Sequence, residues 1–326
     1  MRALSVRAER WPIDGDFVIS RGSKSEAEVV VVEITEDGAV GRGESVPYPR
    51  YGETVDGVIE SIEGCRSAVA AGGDRNALQG LLAAGAARNA LDCALWDLEA
   101  KLAGRPAWAL AGLDRLDPVK TAYTLSFAPP EEMAAVARRE SRRPMLKLKI
   151  GGPDDLDRVE AVRGAAPKAR LIVDANEGLE FDQLRRLAPE FARLDVALIE
   201  QPLKADDDQA LEGFDSPTPL CADESLHTRA ELEACARRYQ AVNIKLDKSG
   251  GLTEALMLKR EAEALGLRVM VGCMVATSLA MAPAMILAQE ADYVDLDGPL
   301  LLARDRHPGL TYLGSMIAPP TPDLWG

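Results

Sequence analysis

Histidine is nearly absent from this 326-residue chain, occurring only as His227 and His307. A mechanism or metal centre built from several imidazoles is therefore excluded. Cysteine is sparse as well, and Cys65, Cys93, Cys221, Cys235 and Cys273 include no C-x-x-C pair. An odd number cannot complete a disulfide framework within one chain, so free thiols in a reducing cytoplasm are expected. Basic residues are in deficit: 38 Lys and Arg against 52 Asp and Glu leave a formal charge of −14. That is the wrong sign for sequence-independent nucleic-acid binding. The opening MRALSVRAERW lacks the apolar core of a signal peptide. One long stretch without charge, 269–288, contains Gly272, Thr277, Ser278 and Pro283. It reads as a strand, a turn and a covering helix rather than a bilayer span. The expectation is a cytoplasmic protein with neither nucleic-acid nor membrane partners; its oligomeric state is left open, homo-oligomers included.

What is present divides near residue 115. Before it, SVRAERWPI and EVVVVEI read as strands and GRGESVPYPRYGE as a turn-rich loop. Two helical stretches follow, about 53–71 and 86–102, the second stopped by Gly104 and Pro106. A small α+β capping domain over 1–115 is expected. Beyond it, eight apolar runs recur at 119–125, 145–150, 170–176, 196–202, 219–225, 241–247, 268–274 and 291–298, each separated by room for a helix. Repeated strand–helix units predict a parallel (β/α)8 barrel over 116–298. The segment 299–326 is expected to return onto the first domain.

In such a barrel the chemistry sits where the strands end. In MLKLKI, Lys147 and Lys149 alternate with apolar residues, so both ammonium groups leave the same face. Asp174, Glu200 and Asp223 end three consecutive runs, and neighbouring strands lie roughly 4.8 Å apart. Capping of the following helix explains one such acid readily; three buried together need a counter-ion. Oxygen-only ligation favours Mg²⁺ over Zn²⁺. Lys245 ends the sixth run, opposite Lys149 on the second. A substrate carbon between them meets a lysine on either side, and a divalent cation on its carboxylate stabilises the enediolate formed when the α-proton leaves. One lysine must then be neutral, with a pKa lowered by neighbouring cations and desolvation. The alternative is that these lysines are structural ion pairs, as expected of Lys248 and Lys259 at the surface. Thr124 and Cys273 end the first and seventh runs and are placed in the pocket lining, although Cys273 also fits a small buried apolar role.

KLK (147–149), DAN (174–176), EQP (200–202), ADES (222–225) and NIKLDKSGG (243–251), in this order, resemble the enolase superfamily in its muconate-lactonising branch. RNALDCALWDLEAKLAGRP is similar to that branch's capping domain, so the likeness spans the chain. The resemblance implies one Mg²⁺ per subunit on Asp174, Glu200 and Asp223, Lys149 and Lys245 as the acid/base pair, and Lys147 on the substrate carboxylate. VDLDG is similar to the D-x-D of the dipeptide epimerases, which implies that Asp295 and Asp297 receive an α-ammonium group. Two turn-forming acids before Gly298 are the plainer alternative. ISRGSKSEAEVVVVE, PYPRYGE, GAARNALDCALWDL, CADESLHTR and NIKLDKSGGLTEAL strengthen the same likeness.

The implied reaction inverts the α-carbon of a dipeptide's C-terminal residue, taking L-Ala-L-Glu to L-Ala-D-Glu by two-base proton transfer. The implied setting is recycling of peptidoglycan peptides. A distal carboxylate needs a cation, and Arg21, Lys24 and Arg50 are candidates, with Arg21 or Lys24 favoured by their place in the loop. Within the branch, an N-acylamino acid racemase, an o-succinylbenzoate synthase or a cycloisomerase shares the lysines and acids without an evident use for Asp295 and Asp297. A non-catalytic metal-binding barrel is the remote alternative.

Overall fold

The computed structural model describes residues 2–326. Three antiparallel strands come first: β1 (Ala3–Ile19), β2 (Gly22–Glu36) and β3 (Ala39–Ser45), in the order β1-β2-β3. The run Val29–Val32 in β2 is buried on both faces rather than one. Val30 and Val32 pack with the helices of this domain, whereas Val29 and Val31 join the core shared with the barrel. Burial on both sides is why the segment is continuously apolar instead of alternating.

GRGES is part of β3 and not a loop, and its glycines have a packing reason. The helices here are α1 (Val55–Gly64), α2 (Arg66–Ala70), α3 (Arg75–Leu81) and α4 (Ala86–Ala103). A Cβ on Gly41 would lie 2.2 Å from Ala94 O, and one on Gly43 would lie 2.1 Å from Ala90 O. Both glycines allow the α4 backbone to rest directly on the strand, a use of strand glycine that composition alone reads as a turn. The expected helix over 53–71 breaks at Cys65 into α1 and α2, and α3 is an element the sequence reading did not separate.

Val119–Lys120 forms β4, a short strand outside the barrel that pairs with β14 (Met316–Ile317), itself paired with β13 (Tyr312–Leu313). The barrel consists of β5 (Tyr123–Leu125), β6 (Met145–Lys149), β7 (Arg170–Asp174), β8 (Val196–Glu200), β9 (Leu220–Ala222), β10 (Ala241–Ile244), β11 (Arg268–Gly272) and β12 (Tyr293–Asp295). They are adjacent in chain order and parallel. Closure between β12 and β5 is made by a hydrogen bond from Ala122 N to Val294 O, 2.8 Å long.

Not every strand is followed by a full helix. After β8 the chain makes only a 3-10 turn, Asp208–Leu211, in a segment whose Gly213, Pro217 and Pro219 discourage anything longer. The uncharged stretch divides as expected into β11 and the buried helix Ser278–Leu287. Among the described residues no helix is long and apolar enough to cross a membrane. The last residues dock on α4: Trp325 Nε1 donates to Cys93 O at 3.0 Å and Gly326 N to Asp97 Oδ1 at 2.7 Å.

Candidate active site

Parallel register aligns the ionisable side chains at the carboxyl ends of the strands. Lys149 is paired with Asp174, Asp174 with Glu200, and Glu200 with Cys221. Asp223 follows Cys221 by two residues and so continues the same face. Helix capping does not account for these acids. The helix after β7, Phe181–Arg193, is capped by Glu180 and Gln183, and no long helix follows Glu200.

Four lysines meet the acids. Lys147 is 2% exposed, and its Nζ lies 2.8 Å from Asp295 Oδ2, 2.8 Å from Glu200 Oε2 and 3.1 Å from Asp174 Oδ2. Lys149 Nζ donates to Asp174 Oδ2 at 2.6 Å, and Lys245 Nζ to Asp223 Oδ2 at 2.7 Å. Lys149 on β6 and Lys245 just past β10 stand four strands apart in the ring of eight, on opposite walls. Lys248, expected at the surface, is instead buried. The single helical turn Leu246–Ser249 folds it inward, where Nζ reaches Asp223 Oδ1 at 2.6 Å and Asn243 O at 3.0 Å. Lys259 does pair locally, with Glu263.

Burial opposes the charge on Lys147, but Asp295, Glu200 and Asp174 outweigh it and hold the ammonium well above the usual lysine range. Lys245 is likewise held up, by Asp223 against desolvation. The lowered pKa expected of a base lysine from neighbouring cations and desolvation is thus reversed at Lys245, because its ammonium touches Asp223 directly. Burial also raises the acids, yet Lys149 and Lys147 hold Asp174 below its usual range. Glu200 goes the other way, pushed up to about 7 by burial and by the charge on Asp174. Its Oε2 lies near Lys147 but out of hydrogen-bonding alignment, leaving a buried oxygen without a donor.

These acids do not close on a common centre as the side chains stand. Among the described residues no three form a ready cation cage, and the Lys147 ammonium stands between Asp174 and Glu200. The donor set nonetheless fits a hard cation. Three fully buried carboxylates lie on neighbouring strands, one oxygen lacks an aligned donor, and the ammonium groups between them are on flexible stems.

A cavity of about 1200 Å³ opens over this cluster. Its walls include Thr124, Lys147, Lys149, Asp223, Lys245, Cys273, Asp295 and Asp297, with Arg21 and Lys24 from the first domain. Asp174 and Glu200 lie beneath, covered by the lysines. Asp295 ends β12 and leaves Oδ1 without a partner. Asp297 stands beyond the strand, where its Oδ2 accepts from Thr124 N at 2.6 Å and helps to close the barrel. Burial and the charge on Asp295 push Asp297 up to about 7.

The three candidate cations of the first domain are engaged differently. Arg50 is spent on Glu177, with two hydrogen bonds of 2.8 Å. Arg21 bridges Glu177 at 3.1 Å and Glu224 at 2.8 Å, and Lys24 Nζ sits 5.0 Å from the centre of the Tyr48 ring. Glu177 and Glu224, which pair with the first-domain arginines, and Asn243, buried against Glu200, were not singled out in the sequence. Glu224, beside Asp223 in ADES, and Asn243, at the head of NIKLDKSGG, each carried a local signal.

Two family models match the chain: the mandelate racemase / muconate lactonizing enzyme N-terminal domain over residues 1–112, and the enolase C-terminal domain-like family over 131–321. The chain is 48% identical to L-Ala-D/L-Glu epimerase of Escherichia coli K12 over 314 residues, covering 96% of this chain and 98% of the relative. It is 44% identical over 300 residues to an N-acetyl-D-glutamate racemase of a Pseudoalteromonas species, covering 91% and 95%. Among solved structures, it is similar to an Agrobacterium tumefaciens enolase family member with homology to dipeptide epimerases, solved with bound sodium and L-Ala-L-Glu. That match has 51% identity and a TM-score of 0.99 over 100% of both chains. A dipeptide epimerase from Enterococcus faecalis V583, complexed with Mg and L-Leu-L-Tyr, matches at 29% identity and a TM-score of 0.89, covering 97% of this chain and 96% of that one. With both domain models matched in order and the lysine–carboxylate barrel mouth in place, the chain belongs to the enolase superfamily, in its mandelate racemase and muconate lactonizing group.

Proposed function

We propose that this protein is an isomerase, a Mg²⁺-dependent dipeptide epimerase that inverts the α-carbon of the C-terminal residue, with L-Ala-L-Glu as its substrate. The observation that carries the reading is the pair of lysines on opposite barrel walls, Lys149 and Lys245, with Asp295 and Asp297 lining the same cavity. Asp174, Glu200 and Asp223 are the residues that hold the cation. When bound, Mg²⁺ acts as a Lewis acid on the substrate carboxylate and stabilises the charge left when the α-proton departs.

The chain's own groups do the rest. Lys149 and Lys245 approach the stereocentre from opposite faces, so one removes the proton and the other delivers a proton to the far side. Lys147, whose ammonium lies within ion-pair distance of three acids, orients the substrate carboxylate beside them. Asp295 and Asp297 form an anionic wall for the dipeptide's α-ammonium. Thr124 and Cys273 fill out the cavity at the ends of their strands, and the β1–β2 hairpin covers it: Ser20 Oγ donates to Ala175 O at 3.3 Å.

Racemisation of an N-acylated glutamate is the second reading, favoured by the 44% identical relative. It sets a neutral acyl group against Asp295, whose buried Oδ1 lacks a donor. An ammonium supplies that donor and an acyl carbonyl does not. Deuterium exchange at the α-carbon, followed by NMR in D₂O with Mg²⁺, separates the two. Exchange in L-Ala-L-Glu with appearance of L-Ala-D-Glu is the expected outcome. Turnover of N-acetylglutamate with an inert dipeptide overturns the choice.

The distal glutamate carboxylate is read by Arg21 or Lys24. Removing the reader should raise KM for L-Ala-L-Glu about 10–100-fold, the value of one charge-assisted hydrogen bond, and leave L-Ala-L-Ala nearly unaffected. Arg21→Met and Lys24→Met, compared on both dipeptides, assign the role; equal losses on both substrates would mean that the residue supports the loop instead. We further place the domain division near residue 115, the protein in a reducing cytoplasm, consistent with five free thiols, and its setting in peptidoglycan-peptide recycling.

A further inference from the structure

Asn243 sits on β10, two residues before Lys245, and is fully buried. Its Nδ2 donates to Glu200 Oε1 at 2.8 Å. The NH₂ end faces Glu200 because Oε1 acts as an acceptor there, whether or not Oε2 carries a proton, and the amide oxygen cannot donate. The other end, Oδ1, has no partner and lies against Gly272 on β11, where an added Cβ would come within 2.5 Å of it. A buried carbonyl oxygen without a donor is unfavourable. It is tolerated here because turning the amide over would set oxygen against oxygen at Glu200. Behind Asn243, Lys248 clamps the backbone: Nζ bonds Asn243 O at 3.0 Å and Asp223 Oδ1 at 2.6 Å.

The geometry points to Asn243 as a positioning residue for the cation site. It fixes Oε1 of Glu200 so that Oε2, which has no aligned donor, is left on the side of Lys147 and Asp174, and Gly272 supplies the space that the amide needs. The inference rests on the proposed metal-ligand role of Glu200. It concerns a side chain that touches neither substrate nor cation, and it makes NIK a motif with two functions, positioning at Asn243 and proton transfer at Lys245. Partners that orient ligand side chains are worth about 10–100-fold in metal affinity or activity.

The test is calorimetric titration of Mg²⁺ into metal-free protein, for wild type, Asn243→Leu and Gly272→Ala. Gly272→Ala leaves Asn243 intact but pushes its amide aside, so it serves if Asn243→Leu does not fold. Unfolding in chelator is measured in parallel. The expected result is Mg²⁺ binding weakened about 10–100-fold in both variants, with kcat lost in proportion when Mg²⁺ is limiting and partly restored at high Mg²⁺. Wild-type affinity in a folded variant, even one of lower stability, overturns the inference and leaves the proposed function standing. A wild type that binds no Mg²⁺ overturns the metal assignment and the inference with it.

Discussion

Replacing Lys245 with alanine lowers kcat for epimerisation of L-Ala-L-Glu by at least about 10³-fold, the upper part of the range for a lost general acid or base. Lys149→Ala does the same. The two variants differ in what survives. Each retains the base on one wall, so each still exchanges the α-proton of one stereoisomer for deuterium, and the exchangeable isomers are opposite. A lysine serving only as an ion pair gives a different pattern, with both isomers slowed alike. Neither change strips an acid of all its cations. Asp223 keeps Lys248 at 2.6 Å when Lys245 is absent, and Asp174 keeps Lys147 at 3.1 Å when Lys149 is absent. Folding should therefore survive, checked by thermal melting. Normal epimerisation in both variants would show that the opposed walls do not carry the reaction.

Glu200→Gln is expected to abolish turnover to a similar extent, through loss of Mg²⁺ rather than loss of fold. The substitution keeps the shape of the side chain and removes one of three anionic donors, and hard-cation affinity depends strongly on that charge. Stability in chelator should be unchanged or higher. Glu200 lies under the field of Asp174, and its raised pKa reflects a charge that its surroundings do not fully compensate. Relieving like-charge repulsion offsets the lost contact with Lys147, which retains Asp295 at 2.8 Å. The measurements are Mg²⁺ titration, steady-state rate and unfolding in chelator. Full activity in Glu200→Gln removes Glu200 from the ligand set. A large stability loss with unchanged Mg²⁺ affinity makes it a structural acid.

The barrel was legible because its signal is local. Each apolar run ends in a polar residue, and that reading carried Lys149, Asp174, Glu200 and Lys245 onto adjacent or opposing strands without knowledge of any contact. The errors came where a residue's meaning depends on what lies across from it. Gly41 and Gly43 read as loop formers, yet α4 packs on them. Lys248 was expected to pair at the surface; the helical turn after Ile244 instead brings it to Asp223. Lys245 was expected to be lowered in pKa by neighbouring cations and desolvation, yet Asp223, a carboxylate at the end of another strand, touches its ammonium and raises it.

The sequence by itself determined the order of the barrel strands and the polar residues at their ends. Both follow from periodicity and from the short reach of a strand–helix unit. Only the tertiary structure decided the pairings: Lys147 with Asp295, 148 positions further on, Asn243 with Glu200, and Arg21 with Glu177 and Glu224. Coulomb energy and hydrogen bonding depend on distances of a few ångströms. Those distances are set when eight strands close into a ring and a hairpin folds over its mouth.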